Sequence, residues 1–262
     1  MVDHASAGDL GVEPGRALTR FVLTLADSKR LLGIRYSDWL LGSPSIETGI
    51  ALSSMAQDEW GHARLLYALL KDLGLDPALV EHGRPAVEYA SVDTLDELLP
   101  DWAAVVAAMV VVDGALTALL EGFANGRYEP ARGRVPKMLL EEEFHRDLGL
   151  AWFGRLAGSG SAEGRERLTH WLGGALPRLL AWLDPEDDAS GALAEAGLVG
   201  SGARERFRLR AGPILEAAGV DLARVAPERS GWDAGRARGP GHPDPEAVER
   251  ARGDRNRALL VE

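Results

Sequence analysis

The sequence contains no cysteine, and this absence excludes several classes of functional site. A chain without thiols has no disulfide, no thiolate zinc site, no iron–sulfur cluster and no cysteine nucleophile. The chain does contain 6 histidines and 40 acidic residues. Any metal ion that it binds must therefore be held by imidazole and carboxylate groups.

The chain also lacks the features of an exported or nucleic-acid-binding protein. Its formal net charge is -11 and its pI is near 5.1, which disfavours a polyanionic partner even though residues 204–210 form a local basic patch. The first 18 residues contain no basic segment followed by an apolar one, as an export signal would. We therefore expect a cytoplasmic protein that binds neither nucleic acid nor a membrane.

Strand-like alternation is scarce, and the hydrophobic pattern has a helical period. With 46% hydrophobic residues in 262, the chain can bury a sizeable core. Helices are predicted at about residues 15–41, 45–74, 100–126, 136–158, 162–183 and 201–219, with a short one from Pro245. The sequence thus predicts an all-α protein built on a four-helix bundle with additional C-terminal helices.

The two ends of the chain differ in composition from its middle. Residues 227–245 are rich in Gly, Arg and Pro, which is typical of an extended or disordered segment. We expect a flexible N-terminus at residues 1–14, a helical domain at 15–220, and an extended or partly disordered arm at 221–262.

The pattern Glu-x-x-His occurs twice, as Glu59 and His62 in QDEWGHA and as Glu142 and His145 in EEEFHRD. Residues three apart share one helical face, so both side chains can reach one metal ion while the carboxylate bridges to a second. Either pair alone is more often a surface Glu and His than a ligand set. Both pairs, however, lie on an apolar stripe, where an uncompensated carboxylate is costly to bury.

An acid on the preceding segment accompanies each pair. Asp113 is the only charge within AAVVAAMVVVDGALTALL, so on a buried helix it needs a cation, a proton or hydrogen bonds. Asp38 lies on the apolar stripe of the first helix, although Asp27 is a competing inward acid. The repeated order of acid and Glu-x-x-His indicates two half-sites of a dinuclear centre. The predicted metal ligands are Asp38, Glu59, His62, Asp113, Glu142 and His145.

This ligand set favours particular metals and a particular chemistry. Ligands that are mostly oxygen favour iron, or alternatively manganese, over zinc and copper. Two irons held by carboxylates and imidazoles suit the activation of dioxygen. The chain has neither cysteine nor a flavin motif with which to collect electrons from NADPH, so a separate reductase is expected.

Three segments carry a resemblance to a known family: LADSKRLLGIRYSDWLLGSPSIETGIALSSMAQDEWGHARLLYALL, VDGALTALLEG and LLEEEFHRDLGLAWF. They resemble the ferritin-like subunits of the bacterial phenylacetyl-CoA ring epoxidase over about residues 15–220. LAD, SDW and ARLLY are similar to the structural, non-catalytic subunit. The ligand motifs QDEWGH, VDGA and EEEFH are similar to the catalytic subunit, in which a Glu stands at the place of Asp38.

The resemblance implies a ferritin-like fold and a division of the ligands between two irons. Asp38, Glu59 and His62 would hold one iron, and Asp113, Glu142 and His145 the other, with Glu59 and Glu142 as bridging, catalytic carboxylates. The implied reaction inserts one oxygen atom of dioxygen into the aromatic ring of an acyl-CoA during phenylacetate catabolism. The implied assembly is a homodimer or a hetero-oligomer with related oxygenase subunits.

Three other functions use the same features. A ferritin-like ferroxidase or iron-binding protein would need the same ligands but no reductase. A non-catalytic scaffold subunit of a multicomponent oxygenase would retain a vestigial site. A di-iron oxygenase could also act on a different substrate.

Overall fold

In the computed structural model, residues 5–158, 161–253 and 259 are described. Within these ranges the chain forms α-helices, short 3-10 helices and connecting turns, with isolated bridges but no strand. The predicted all-α fold, a ferritin-like helical bundle with additional C-terminal helices, is confirmed. The helices are α1 Val12–Ser37, α2 Ile46–Leu69, α3 Pro77–Gly83, α4 Trp102–Asn125, α5 Glu129–Ala157, α6 Ala162–Leu183, α7 Asp188–Glu195, α8 Ala203–Ala217 and α9 Pro245–Arg252.

Local capping explains where two of the site-bearing helices begin. The Ser45 side chain accepts a hydrogen bond from the backbone N–H of Thr48 at the start of α2. Asp101 does the same for Ala104 at the start of α4. Each cap satisfies a backbone donor that has no partner within the first helical turn.

Two helix ends differ from the sequence-based expectation. α5 begins at Glu129 with a proline in its first turn, so Pro136 lies inside the helix rather than at its start. α1 ends at Ser37 and not near residue 41, because the backbone tightens through bonds from Trp39 to Tyr36 and from Leu40 to Ser37. Leu41, expected on the inward stripe, is consequently fully exposed.

The chain divides into two compact units. Unit 1 comprises Met1–Leu18 and Leu99–Gly231, and in it α4 packs against α5, α6 and α8. α4 has the length and hydropathy of a membrane-spanning helix, but 94% of its most apolar window is buried inside the protein. α4 is therefore the core helix of unit 1, and it carries Asp113 almost completely buried.

Unit 2 comprises Thr19–Leu98 and Trp232–Glu262. Its C-terminal part is held by arginines: buried Arg238 donates to Ser91 and Asp96, and Arg252 donates to the backbone oxygen of Arg84. The short helix expected from Pro245 is present as α9. The predicted boundaries at residues 14 and 220 stay a prediction, and residues 1–4, 254–258 and 260–262 of the two predicted end segments lie outside the described residues.

A buried ion pair organises unit 2 around Asp27, which is completely inaccessible to solvent. Its carboxylate accepts hydrogen bonds from the Tyr67 hydroxyl at 2.5 Å and from the Ala90 backbone at 2.8 Å. Arg84 donates to it with both terminal nitrogens, and the Arg84 guanidinium also lies over the Tyr89 ring. Asp27, the competing acid of α1, is therefore fully engaged in holding the α3 segment to α1.

Replacing Arg84 with methionine tests this ion pair. The variant should lose about 3–5 kcal/mol of unfolding free energy, because it leaves a buried carboxylate without its cation. Urea denaturation measures the loss. Arg16→Met is the matched control, since Arg16 is exposed and should change stability by less than about 0.5 kcal/mol. Equal effects of the two substitutions would contradict the role of the pair.

Ionisation of Tyr89 should make the unfolding free energy depend on pH in the alkaline range. Burial, followed by the nearby Asp27 carboxylate, raises the pKa of Tyr89 from 10.0 to about 12. Between these values the unfolded chain loses the phenolic proton while the folded chain keeps it. The unfolding free energy should therefore fall by about 1.4 kcal/mol per pH unit for this group as pH rises from 10 to 12.

The substitution Tyr89→Phe isolates that contribution. The Tyr89 hydroxyl makes no hydrogen bond to the described residues, so removing it should cost little below pH 9. Urea denaturation at pH 9, 10 and 11 should show a shallower alkaline decline in the variant than in the unchanged protein. Parallel declines would refute the assignment. Burial and Asp27 also raise the pKa of Tyr67, so part of the decline should persist.

Candidate metal centre

Unit 1 brings together three of the predicted ligands. Asp113 projects from α4, while Glu142 and His145 project from the same face of α5 three residues apart. Their exposed fractions are 2%, 1% and 1%. One ligand atom from each lies within 4.8 Å of the others. We call Asp113, Glu142 and His145 the ligand trio.

The close packing of α4 against α5 depends on a glycine. A Cβ atom at Gly149 would lie 3.0 Å from the Cβ of Met109, closer than side chains normally approach. Gly149 follows His145 by one helical turn, and Met109 precedes Asp113 by one turn. The missing side chain therefore lets the two helices approach beside the trio.

The distances within the trio suit a metal ion. His145 Nδ1 lies 3.1 Å from Oδ2 of Asp113 and 3.6 Å from Oε2 of Glu142. Neighbouring ligand atoms bound at about 2.1 Å to one ion are roughly 3.0–4.2 Å apart. The trio can therefore hold a metal ion with little rearrangement.

Thr117 supports the arrangement from the next turn of α4. Its hydroxyl lies 3.2 Å from Oε2 of Glu142 and 2.9 Å from the backbone oxygen of Asp113. The single hydroxyl proton is shared between these two acceptors, so the contact helps to orient the Glu142 carboxylate, as partners behind metal ligands commonly do.

A narrow cleft adjoins the trio within unit 1, with about 20 Å³ of free space, which is room for about one water molecule. Asp113 and Glu142 line it, and so do Thr117 and two rim arginines. Its apolar lining residues are Met109, Val110 and Leu150. Arg210 forms ion pairs with Glu121 at 2.6 Å and Glu143 at 3.3 Å. The cleft thus combines an apolar wall with a charged rim formed by Arg146 and Arg210.

Glu59 and His62 lie on α2 of unit 2, and both are buried as the apolar stripe predicted. The Glu59 carboxylate has a cationic partner from its own unit: Lys29 Nζ lies 2.9 Å from its Oε1, and both side chains are 0% exposed. The sequence pattern did not reveal this ion pair. The cost of burying Glu59 is therefore offset in part by a lysine of α1.

Asp38 lies just beyond the end of α1 and contacts two arginines. Its Oδ1 accepts from Arg250 at 2.7 Å, and its Oδ2 accepts from Arg35 at 3.3 Å. The hydrogen bond with Asp38 raises the pKa of Arg250. Its role as a metal ligand stays a prediction, and any ion bound there must compete with two guanidinium groups.

Two residues of these sites were missed by sequence reasoning. Thr117 follows Asp113 by four residues and so shares its helical face, which is a usable signal. Lys29 lies on the buried stripe of α1 together with Leu25, Leu32 and Tyr36, which are all inaccessible to solvent. A lysine on an apolar stripe indicates a buried acidic partner.

The fold and the trio define the class of protein to which the chain belongs. An all-α protein that buries carboxylates and an imidazole between facing helices has the kind of core in which helical bundles can hold metal ions. The family model described as phenylacetic acid catabolic protein matches residues 7–240, and the chain belongs to that family. The suspected relationship to these ferritin-like subunits is thereby confirmed. No curated protein matches the chain.

The substitution Glu142→Gln tests the ligand trio, since it removes one charge without changing the shape of the side chain. Loss of a group behind a ligand typically costs about 10–100-fold in metal affinity, so loss of the ligand itself should cost at least as much. Equilibrium dialysis against ferrous iron under anaerobic conditions measures the affinity. The metal-free variant should be no less stable than the unchanged protein, because one of two adjacent buried acids becomes neutral.

Glu141→Gln is the matched control for this substitution. Glu141 precedes Glu142 but points toward Lys137 on the partly exposed side of α5. It should bind iron as the unchanged protein does. Identical iron binding by the two variants would show that Glu142 is not a ligand.

Proposed function

We propose that this protein is the oxygenase component of an aromatic acyl-CoA epoxidase that uses a di-iron centre. The ring of a substrate such as phenylacetyl-CoA receives one atom of dioxygen, and the other atom leaves as water. The observation that carries this proposal is the buried ligand trio in a member of the phenylacetic acid catabolic family.

The proposed ligand set has two parts. Asp113, Glu142 and His145 hold one ion, and the distances within the trio support this assignment. The second part, Asp38, Glu59 and His62, enters the proposal from the repeated sequence pattern and the family resemblance. Glu59 and Glu142 are proposed as the bridging carboxylates. When bound, the two irons, or alternatively two manganese ions, supply the redox chemistry that activates dioxygen.

Side chains of unit 1 prepare the environment of the reaction. Thr117 orients Glu142, while Nδ1 of His145 and Oδ2 of Asp113 face each other at 3.1 Å, as two ligands of one ion would. Near-complete burial of the trio keeps bulk water away, which strengthens every electrostatic interaction there.

The proposed reaction requires partners. It consumes two electrons, and the chain contains no cysteine for an iron–sulfur cluster, so NADPH electrons are proposed to arrive through a separate reductase. Related oxygenase subunits, or a second copy of the chain, are proposed to complete the assembly. We place this assembly in the cytoplasm, where its CoA substrate and NADPH are available.

A non-catalytic subunit of the same kind of complex is the second candidate. The cationic partners of Glu59 and Asp38 favour it, because a chain that neutralises these acids itself needs fewer metal ions for stability. A preparation that stays free of iron after anaerobic reconstitution, yet binds a catalytic partner, would support this candidate.

Product analysis tests the oxygenase proposal. Iron-reconstituted protein is incubated with phenylacetyl-CoA, dioxygen and an NADPH-dependent reductase, and CoA esters are analysed by mass spectrometry. We expect a product heavier by one oxygen atom, labelled when ¹⁸O₂ is supplied. Glu142→Gln should reduce its formation at least about 100-fold, because loss of a ligand should cost no less than loss of a supporting group. Glu141→Gln should not.

The possible results separate reaction from substrate. Iron-loaded protein that consumes NADPH and dioxygen but forms no oxygenated phenylacetyl-CoA would contradict the proposed substrate. Iron oxidation at full rate without a reductase or an acyl-CoA would contradict the oxygenase proposal and favour a ferroxidase.

A further inference from the structure

Lys29 is an unusual lysine in this chain. The sequence contains three lysines among its 29 basic Lys and Arg residues. Lys71 and Lys137 are exposed, whereas the Lys29 side chain is completely buried against Glu59 of α2. An ammonium group is among the most costly groups to bury, so its position calls for a specific reason.

The contact places a positive charge where a metal ion is proposed to bind. Lys29 Nζ lies 2.9 Å from Oε1 of Glu59, the distance of a charge-assisted hydrogen bond. A metal ion bound to the same oxygen would bring two or more positive charges to within about 2.1 Å of it. The ammonium and the ion therefore compete for one carboxylate.

Asp38 shows the same kind of compensation. Arg35 is fully buried and is anchored by hydrogen bonds to the backbone oxygens of Leu95 and Asp96. From that position it reaches Asp38, which also accepts from Arg250. Two of the three ligands predicted for the ion in unit 2 thus have cations of the chain as partners.

The ligand trio of unit 1 is differently arranged. Its two carboxylates contact the imidazole of His145 and the hydroxyl of Thr117. A neutral imidazole is a metal ligand, and a hydroxyl is a common supporting group. The described contacts of the trio within unit 1 are therefore compatible with a bound ion as they stand.

We propose that Lys29 is a built-in substitute cation that makes the two metal positions unequal. This inference rests on the proposed function and specifies how its centre is loaded. The first ion binds to Asp113, Glu142 and His145. The second binds at Glu59, with His62 one turn further along α2, only when Lys29 gives up its contact with Glu59, so it binds later and more weakly. Lys29 neutralises Glu59 while that second ion is absent.

The substitution Lys29→Met removes the ammonium and keeps a long, unbranched side chain. Metal-free protein is dialysed anaerobically against increasing ferrous iron, and iron per chain is measured. The unchanged protein should bind one ion tightly and a second at least roughly tenfold more weakly, since the second must displace a buried ion pair. Lys29→Met should strengthen the second binding step by roughly tenfold or more and leave the first unchanged.

Lys137→Met is the matched control, because Lys137 is 75% exposed and contacts Glu141 at 3.6 Å. Its two binding steps should equal those of the unchanged protein. Thermal unfolding gives an independent readout that needs no enzymatic activity. Metal-free Lys29→Met should melt at a lower temperature because Glu59 loses its cation, and iron should raise its melting temperature more than that of the unchanged protein.

A double variant, Lys29→Met with Glu59→Gln, keeps the test decisive if the single variant does not fold. It buries neither charge, so it should fold, retain the first ion and lose the second. Two ions bound by this double variant would overturn the role assigned to Lys29.

The outcomes also separate the inference from the proposed function. Two ions of equal affinity in the unchanged protein, or equal binding by Lys29→Met and Lys137→Met, would overturn the inference and leave the di-iron proposal intact. No iron bound by the unchanged protein or by any variant would overturn the proposed function, and the loading order with it.

Discussion

Compensation of buried negative charge is the constraint on which the rest of this structure depends. Four acids, Asp27, Glu59, Asp113 and Glu142, lie almost fully buried on the inward faces of α-helices. An ionised carboxylate in such a place costs several kcal/mol unless a cation or hydrogen bonds offset the loss of water. Each of these carboxylates contacts a cation or a hydrogen-bonding group, and the kind of group determines the role of the acid.

Asp27 and the ligand trio represent the two solutions. Asp27 is bound by an arginine, a tyrosine hydroxyl and a backbone amide, so its oxygens are committed to groups that cannot leave without unfolding the segment. Asp113 and Glu142 instead share an imidazole and a hydroxyl. The first arrangement produces a structural ion pair, and the second produces a group able to accept a metal ion. Glu59, held by a flexible lysine, lies between these extremes.

Charge compensation links the stability of the chain to its proposed function. A chain that neutralises one part of its proposed centre with Lys29, Arg35 and Arg250 can fold without a metal ion, because its own cations supply part of the positive charge. The same cations would oppose the proposed second ion. Since the C-terminal arm supplies Arg250 from α9, a segment far along the chain from the helices influences the environment of Asp38.

Much of the fold and part of the site follow from the sequence alone. The helical period places α2 and α4, and Ser45 marks the start of α2, since helix starts depend on residues within one turn. The spacing of Glu142 and His145, and the isolation of Asp113 in an apolar segment, identify the trio for the same local reason.

Only the tertiary structure reveals which cations meet which acids. Lys29 is 30 residues from Glu59, and Arg250 is 212 residues from Asp38. Packing between distant segments determines these partners, and a local sequence pattern does not contain that information. A charge on an apolar helix face, however, already indicates from the sequence alone that a partner is needed.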